Sequence, residues 1–340
     1  MDSRNIILLM KPKVWLFQTL FIVSCFQARL AESSFGVTIQ SSTKSWITQR
    51  ERAIQNTLYS SAQVSTQTST SLDDPLLGPP LHLPKYGEEP LYYFRPTMNG
   101  ATSTENVFQV ERVSQRLGIY HISNLLSAEE CQILTQPKEE FQPAEVTGEF
   151  DNFRTKSSVS WIYTEENELY DELALCLGNI FLSDHVKSRP GACVEPLQVV
   201  HYEKQGGEFK FHHDGLGRVI TILYYLNGVA GTWFPFAGND SYKMTNRNEA
   251  LDIIHTHNLT PGKDGMLIVG KDDFIKNESE YDADHTVIIK PGDAVVFYNY
   301  LSSDDGTKYA DLNSIHAGMP TTGQEKWIAN HWFHDEPFST

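Results

Sequence analysis

Val219-Ile-Thr-Ile-Leu-Tyr-Tyr-Leu226, closed by Asn227-Gly228, carries the fold class of this chain. Every residue in it is β-branched, aromatic or leucine, the composition of a β-strand. Asn-Gly directly after it is a turn signal. Leu197 to Tyr202 upstream reads the same way, as do Thr286 to Lys290, Ala294 to Tyr300 and Trp327 to Phe333 downstream, with Pro291-Gly292 as a further turn. Towards the N-terminus the period changes. Ser127-Ala-Glu-Glu130 is a capping box, so a helix runs from it through Cys131, Ile133 and Leu134. Leu169, Leu173, Cys176, Leu177 and Ile180 recur at helical spacing within Glu165 to Phe181. Helices first and strands after predict an α+β domain. Its core is a double-stranded β-helix, or jelly roll, of antiparallel sheets with N-terminal supporting helices.

The rest of the chain sorts by composition. Arg4, Lys11 and Lys13 precede an apolar run from Val14 to Ala28, the pattern of a signal peptide or signal anchor over residues 1–30. Residues 31–104 lack hydrophobic periodicity; the polar run from Ser60 to Ser71 and Pro75, Pro79, Pro80 and Pro84 read as a stem or linker. Residues 105–340 are the folded domain, with an insertion over 237–285 that holds three N-x-[ST] sequons at Asn239, Asn258 and Asn277. Sequons and leader together predict the secretory pathway, endoplasmic reticulum or Golgi, lumenal or anchored once in the membrane. The net charge of -16 argues against nucleic acid as a partner, since phosphate binding needs surplus Lys and Arg. Four cysteines, Cys25, Cys131, Cys176 and Cys193, include no CxxC pair, which disfavours structural zinc. They leave open one disulfide or three reduced thiols in the body.

Chemistry concentrates in Phe211-His-His-Asp214. On an extended segment residues i and i+2 face the same side, so His212 and Asp214 can meet one metal. A second histidine from another strand would complete a two-His, one-carboxylate triad with open positions, the set that suits non-haem Fe(II). His255, His257, His316, His331 and His334 compete for that place. His316, in Ser314-Ile-His-Ala-Gly318, is favoured by Lys326 ten residues on, because a dicarboxylate chelating iron at one end needs a cation at the other. Lysines are ordinarily surface residues, but Lys326 stands beside Trp327 and Ile328 in an otherwise apolar strand.

These segments resemble, in order, the prolyl 4-hydroxylase catalytic domain of the Fe(II)/2-oxoglutarate dioxygenases over residues 115–336. The match runs from Ser127-Ala-Glu-Glu-Cys131 through Arg154-Thr-Lys-Ser157, Glu195-Pro-Leu-Gln-Val-Val-His-Tyr202, His212-x-Asp214 and Arg218-Val-Ile-Thr221. It continues with Gly231-Thr-Trp-Phe-Pro235, Pro291-Gly-Asp-Ala-Val-Val-Phe297, Ser314-Ile-His-Ala-Gly318 and Glu325-Lys-Trp327. The resemblance implies that His212, Asp214 and His316 bind iron and form the catalytic centre. Lys326 would hold the distal carboxylate of 2-oxoglutarate with hydroxyls from Tyr202 and Thr221. Arg218, Trp332 and His334 would face the substrate. It implies Fe(II), 2-oxoglutarate, O2 and ascorbate as cofactors, and 4-hydroxylation of proline in a polypeptide, with succinate and CO2 as coproducts. The sequence departs from that pattern where access to the site is shaped. The segment between Asp214 and Arg218 is short, Gly231-Thr232 lacks the family's glutamate, and Met319 replaces its cysteine. Two other readings follow: the same chemistry on lysyl residues or a small molecule, and a non-catalytic jelly-roll binding module.

Overall fold

Strand-forming residues dominate the second half of the chain, and in the computed structural model they assemble two facing sheets. Residues 77–96, 105–144, 153–163, 167–183, 194–238, 242 and 244–335 are described. The leader, most of the stem, Cys25, Cys193 and the sequon at Asn239 lie outside them. In chain order the strands are Leu91–Pro96 (β1), Glu105–Arg112 (β2), Ile119–Ser123 (β3), Gln142–Pro143 (β4), Arg154–Thr155 (β5), Ser157–Ile162 (β6), Leu197–Tyr202 (β7), Glu208–His212 (β8) and Arg218–Tyr225 (β9). Then come Thr232–Phe234 (β10), Met266–Gly270 (β11), Thr286–Ile289 (β12), Ala294–Tyr298 (β13), Tyr300–Ser302 (β14), Lys308–Ala310 (β15), His316–Gly318 (β16) and Lys326–His334 (β17).

The larger sheet has the order β1-β2-β3-β13-β9-β17-β7-β6-β4; the smaller has β12-β11-β10-β16-β8-β5. Their pairings are antiparallel except β11 with β12. Central strands β9 and β13 are buried nearly throughout, as their unbroken apolar runs require. The space between the sheets is filled by Val200, Leu223, Phe234, Ile268, Val295 and Phe297 among others. The other face of the larger sheet packs on α2 (Glu168–Phe181), which presents Leu169, Leu173, Leu177 and Phe181 to Val199, Ile222 and Phe333. Shorter α1 (Ala128–Leu134) starts at Ser127, whose hydroxyl accepts from the Glu130 amide while Glu130 accepts from the Ser127 amide. Glu130 also takes a buried ion pair from Arg95 at 2.7 Å.

Two boundaries differ from the sequence expectation. The fold takes in part of the segment read as linker: β1 pairs with β2, and Leu77 and Leu83 are buried. Leu77 exchanges hydrogen bonds with Ser302. Alternation is hidden there because β1 is an edge strand with Tyr92 and Phe94 exposed. The stretch read as an insertion carries α3 (Arg247–Thr256) and α4 (Lys271–Lys276), but β11 within it is a fully buried strand of the smaller sheet. Asn258 is exposed just past α3 and Asn277 half-buried at the end of α4. Cys131 and Cys176 are free and buried, with thiols pushed up by burial to about 12 and about 11. No helix among the described residues is long and apolar enough to cross a membrane.

Candidate metal and cosubstrate site

Between the sheets, His212 ends β8 and pairs directly across the ladder with His316 of β16, their ring centroids 4.3 Å apart. Asp214 lies two residues past His212, and its Oδ1 stands 3.5 Å from His212 Nε2. One ligand atom from each of the three residues falls within 4.8 Å of the others. Each imidazole is fixed by its own backbone: His212 Nδ1 donates to Lys210 O at 2.8 Å and His316 Nδ1 to Ser314 O at 3.0 Å. A carbonyl can only accept, so Nδ1 carries the proton and each Nε2 turns a lone pair to the shared centre.

The carboxylate is aimed as firmly. Thr221 on β9 donates to Asp214 Oδ2 at 2.6 Å, and Trp332 Nε1 on β17 donates to the same oxygen at 3.3 Å. Asn299 Nδ2 in turn donates to Thr221 Oγ1 at 2.8 Å. Burial alone would raise the Asp214 carboxyl. The adjacent His212 and His316 rings and the hydrogen bond from Thr221 outweigh it and hold the group well below the usual carboxylate range. His316, hemmed in by Phe234 and Phe297, is pushed down to about 3 by burial and by His212. Nε2 lone pairs facing an ionised carboxylate are the donor set a divalent metal requires.

A cavity opens from this trio to Lys326, lined between them by Tyr202, Leu223, Thr232 and Ile328, with Arg154, Asn330 and Trp332 also on its wall. Lys326 begins β17, opposite Tyr202 at the end of β7. It is 2% exposed, and burial pushes its ammonium down to about 7. No carboxylate among the described residues pairs with it; its Nζ reaches Gly231 O at 3.4 Å. A buried lysine without a counter-ion, across one cavity from a metal-competent trio, fits a ligand that brings its own carboxylate. The residues present therefore suit Fe(II) with 2-oxoglutarate on the grounds of donor set and charge alone.

The structure separates the other sequence-predicted residues. Tyr202 shares the cavity, its ring centroid 5.4 Å from Lys326 Nζ. Thr221 stands apart from Lys326: it pairs with Trp332, six residues further along β17 and so about 20 Å away. Thr232 occupies the place near Lys326 expected for Thr221, its Oγ1 accepting from Tyr225 at 3.0 Å. Its only sequence signal was the Gly231-Thr232 match. Trp332 lines the cavity, whereas Arg218 and His334 lie outside its wall. Arg218 grips Glu195 through two bonds of 2.6 and 2.8 Å and stacks 3.7 Å over Trp332; His334 Nε2 meets the same carboxylate at 2.7 Å. Glu195 was visible in the sequence only as the start of a strand. Of the competing histidines, His331 is buried against Tyr224 on the opposite face, and His255 and His257 are exposed around the end of α3.

Residues 197–334 match the family model described as the 2OG-Fe(II) oxygenase superfamily. This stretch is similar to that superfamily. The matched residues hold the trio, Lys326 and nearly all of the cavity wall. Fe(II), 2-oxoglutarate and O2 are accordingly the cofactor and cosubstrates of the oxygenase domain. A transmembrane prolyl 4-hydroxylase of Mus musculus is 29% identical over 173 residues, 42% of this chain and 30% of its own length. Prolyl 4-hydroxylase 2 of Arabidopsis thaliana is 25% identical over 263 residues, 71% of this chain and 75% of its own. The chain thus spans under a third of the mouse relative. Among solved structures, the 2OG complex of a collagen prolyl hydroxylase from Paramecium Bursaria Chlorella virus-1 is 20% identical, with a TM-score of 0.39 over 63% of this chain and 94% of that one.

Proposed function

We propose that this oxygenase hydroxylates proline at C4 within a polypeptide, converting 2-oxoglutarate and O2 to succinate and CO2. One observation carries the reading: the His212–Asp214–His316 trio and the unpaired ammonium of Lys326 close the two ends of a single cavity. When bound, iron with 2-oxoglutarate and O2 supplies the oxidising power that replaces a C–H bond by C–OH. The chain's own residues do the rest. His212, Asp214 and His316 hold the metal through atoms already aimed by Lys210, Ser314, Thr221 and Trp332. Lys326 takes the distal carboxylate with Tyr202 and Thr232 beside it, and Leu223 and Ile328 exclude water from the middle of the cavity. Glu195 freezes Arg218 against Trp332, so one wall of the site reaches the substrate already rigid, with His334 on the same carboxylate.

Proline as target is supported by the prolyl 4-hydroxylases among its relatives. Secretory residence, an N-terminal leader or anchor, glycans at the sequons and a need for ascorbate belong to the same proposal; the transmembrane relative supports the location. The test is turnover of a peptide panel with Fe(II), 2-oxoglutarate and ascorbate in air, with proline-rich and lysine-rich members. The reading expects succinate coupled to a one-oxygen mass gain on proline. Gain on lysine alone would transfer the chemistry to the second substrate class.

A further inference from the structure

The smaller sheet is irregular at its most sensitive point. Between the pairs His316 with His212 and Gly318 with Phe209 the register shifts, so Lys210 and Phe211 of β8 stand opposite the single residue Ala317. An extra residue of this kind leaves ladder groups without their regular partners and bends the strand. Here the bend falls immediately before a metal ligand, and both carbonyls of the irregular pair are taken up by side chains. Lys210 O receives His212's own Nδ1. Phe211 O receives Arg247 Nε at 2.8 Å, from the first residue of α3.

We propose that Arg247 is a positioning residue, through which α3 holds the β8 bulge in the shape that directs His212 to the metal. The inference rests on the metal-site reading above but not on proline as substrate. The guanidinium is constrained on its other side, lying 4.4 Å over the ring of Phe153, whose carbonyl accepts from the Lys210 amide at 2.7 Å. Arg247 thus grips the bulge both directly and through the neighbouring chain. Its helix is in turn rooted beside both histidines. Ala250 and Ile254 of α3 pack in an apolar cluster with Trp233, Phe236 and Ile315; Phe211 packs at its edge. Phe211 is the neighbour of His212 and Ile315 the neighbour of His316. A planar, always charged donor on a short tether suits this task better than a lysine on a flexible stem.

The full-length chain with Co(II) as probe separates positioning from mere folding, since the ion's absorption spectrum reports ligand geometry. Arg247→Ala is expected to weaken Co(II) binding by ~10-fold and to shift the spectrum, the scale of losing an outer-shell partner. Arg247→Lys, which keeps a donor, should recover part of both. Thr245→Ala is the control: it removes the Thr245 hydroxyl's bond to Glu249 Oε1 at 2.8 Å, which braces the start of α3, and leaves Arg247 in place. It should bind Co(II) as wild type does. An Arg247→Ala chain with unchanged affinity and spectrum would overturn the proposal, as would equal weakening by Thr245→Ala. A wild-type chain that binds no Co(II) would overturn the metal-site reading and this inference together. Normal Co(II) behaviour without proline turnover would strike only the substrate assignment.

Discussion

Thr221 Oγ1 donates to Asp214 Oδ2 at 2.6 Å while accepting from Asn299, so a metal-competent carboxylate is oriented by a buried relay from the larger sheet. Thr221→Val keeps the shape and deletes the donor. It leaves Asn299 Nδ2 without its acceptor and frees Asp214 to rotate. Fe(II) affinity should fall ~10-fold, with a smaller loss of turnover at saturating iron. Anaerobic metal titration checks it. Wild-type affinity in the variant would show that Trp332 alone suffices to aim the carboxylate.

Lys326 carries a cost that is visible without any ligand. Burial lowers its folded pKa from 10.5 to about 7. Below pH 7 folded and unfolded chains both carry the proton, so the penalty for burying the charge is present in full. Between pH 7 and 10.5 the unfolded chain binds more protons than the folded one, so the penalty fades as pH rises. Lys326→Met should therefore melt higher than wild type at pH 6, with the gap closing towards pH 10, read by thermal unfolding of ligand-free protein. A variant less stable than wild type at pH 6 would contradict the burial account.

The same sign governs the cosubstrate. A carboxylate at Nζ holds the ammonium charged, so above pH 7 binding of 2-oxoglutarate takes up a proton and weakens with further rise in pH. Calorimetry of 2-oxoglutarate binding to Mn(II)-loaded protein at pH 8, in buffers of different ionisation enthalpy, should show uptake approaching one proton, and at pH 6 almost none. Equal uptake at both would remove Lys326 from the binding step.

Leu216, 84% exposed on the short link between Asp214 and Arg218, holds a positive φ of 55°. A leucine resists that region whereas asparagine tolerates it. Leu216→Asn should raise stability by ~1 kcal/mol, about 2 °C in melting temperature for a domain of this size. A drop would mean that the leucine side chain makes a contact worth more than its strain.

How much of this was legible in the sequence depends on the reach of each interaction. His212 and Asp214 were readable because a spacing of two on extended chain is a purely local geometry. His316 was readable through Lys326, whose charge in an apolar strand has no structural use. The capping box at Ser127 and α2 were local too, and the structure places them within a few residues of the sequence reading. Thr221 and Thr232 could not be told apart, since which threonine lies near Lys326 depends on the register of β9 against β17 and on β10 in the other sheet. β1 was masked by its composition, and the role of Arg247 required knowing that α3 folds back on β8.

The central claim is that one cavity joins the metal trio to a lysine waiting for a carboxylate. Equilibrium binding of 2-oxoglutarate to the anaerobic Fe(II) protein, wild type against Lys326→Met, tests it most directly. The account predicts binding that depends on iron in the wild type and is ~100-fold weaker in the variant, the loss of a buried charge-assisted bond and its desolvated partner. Equal affinity in the two proteins would contradict it.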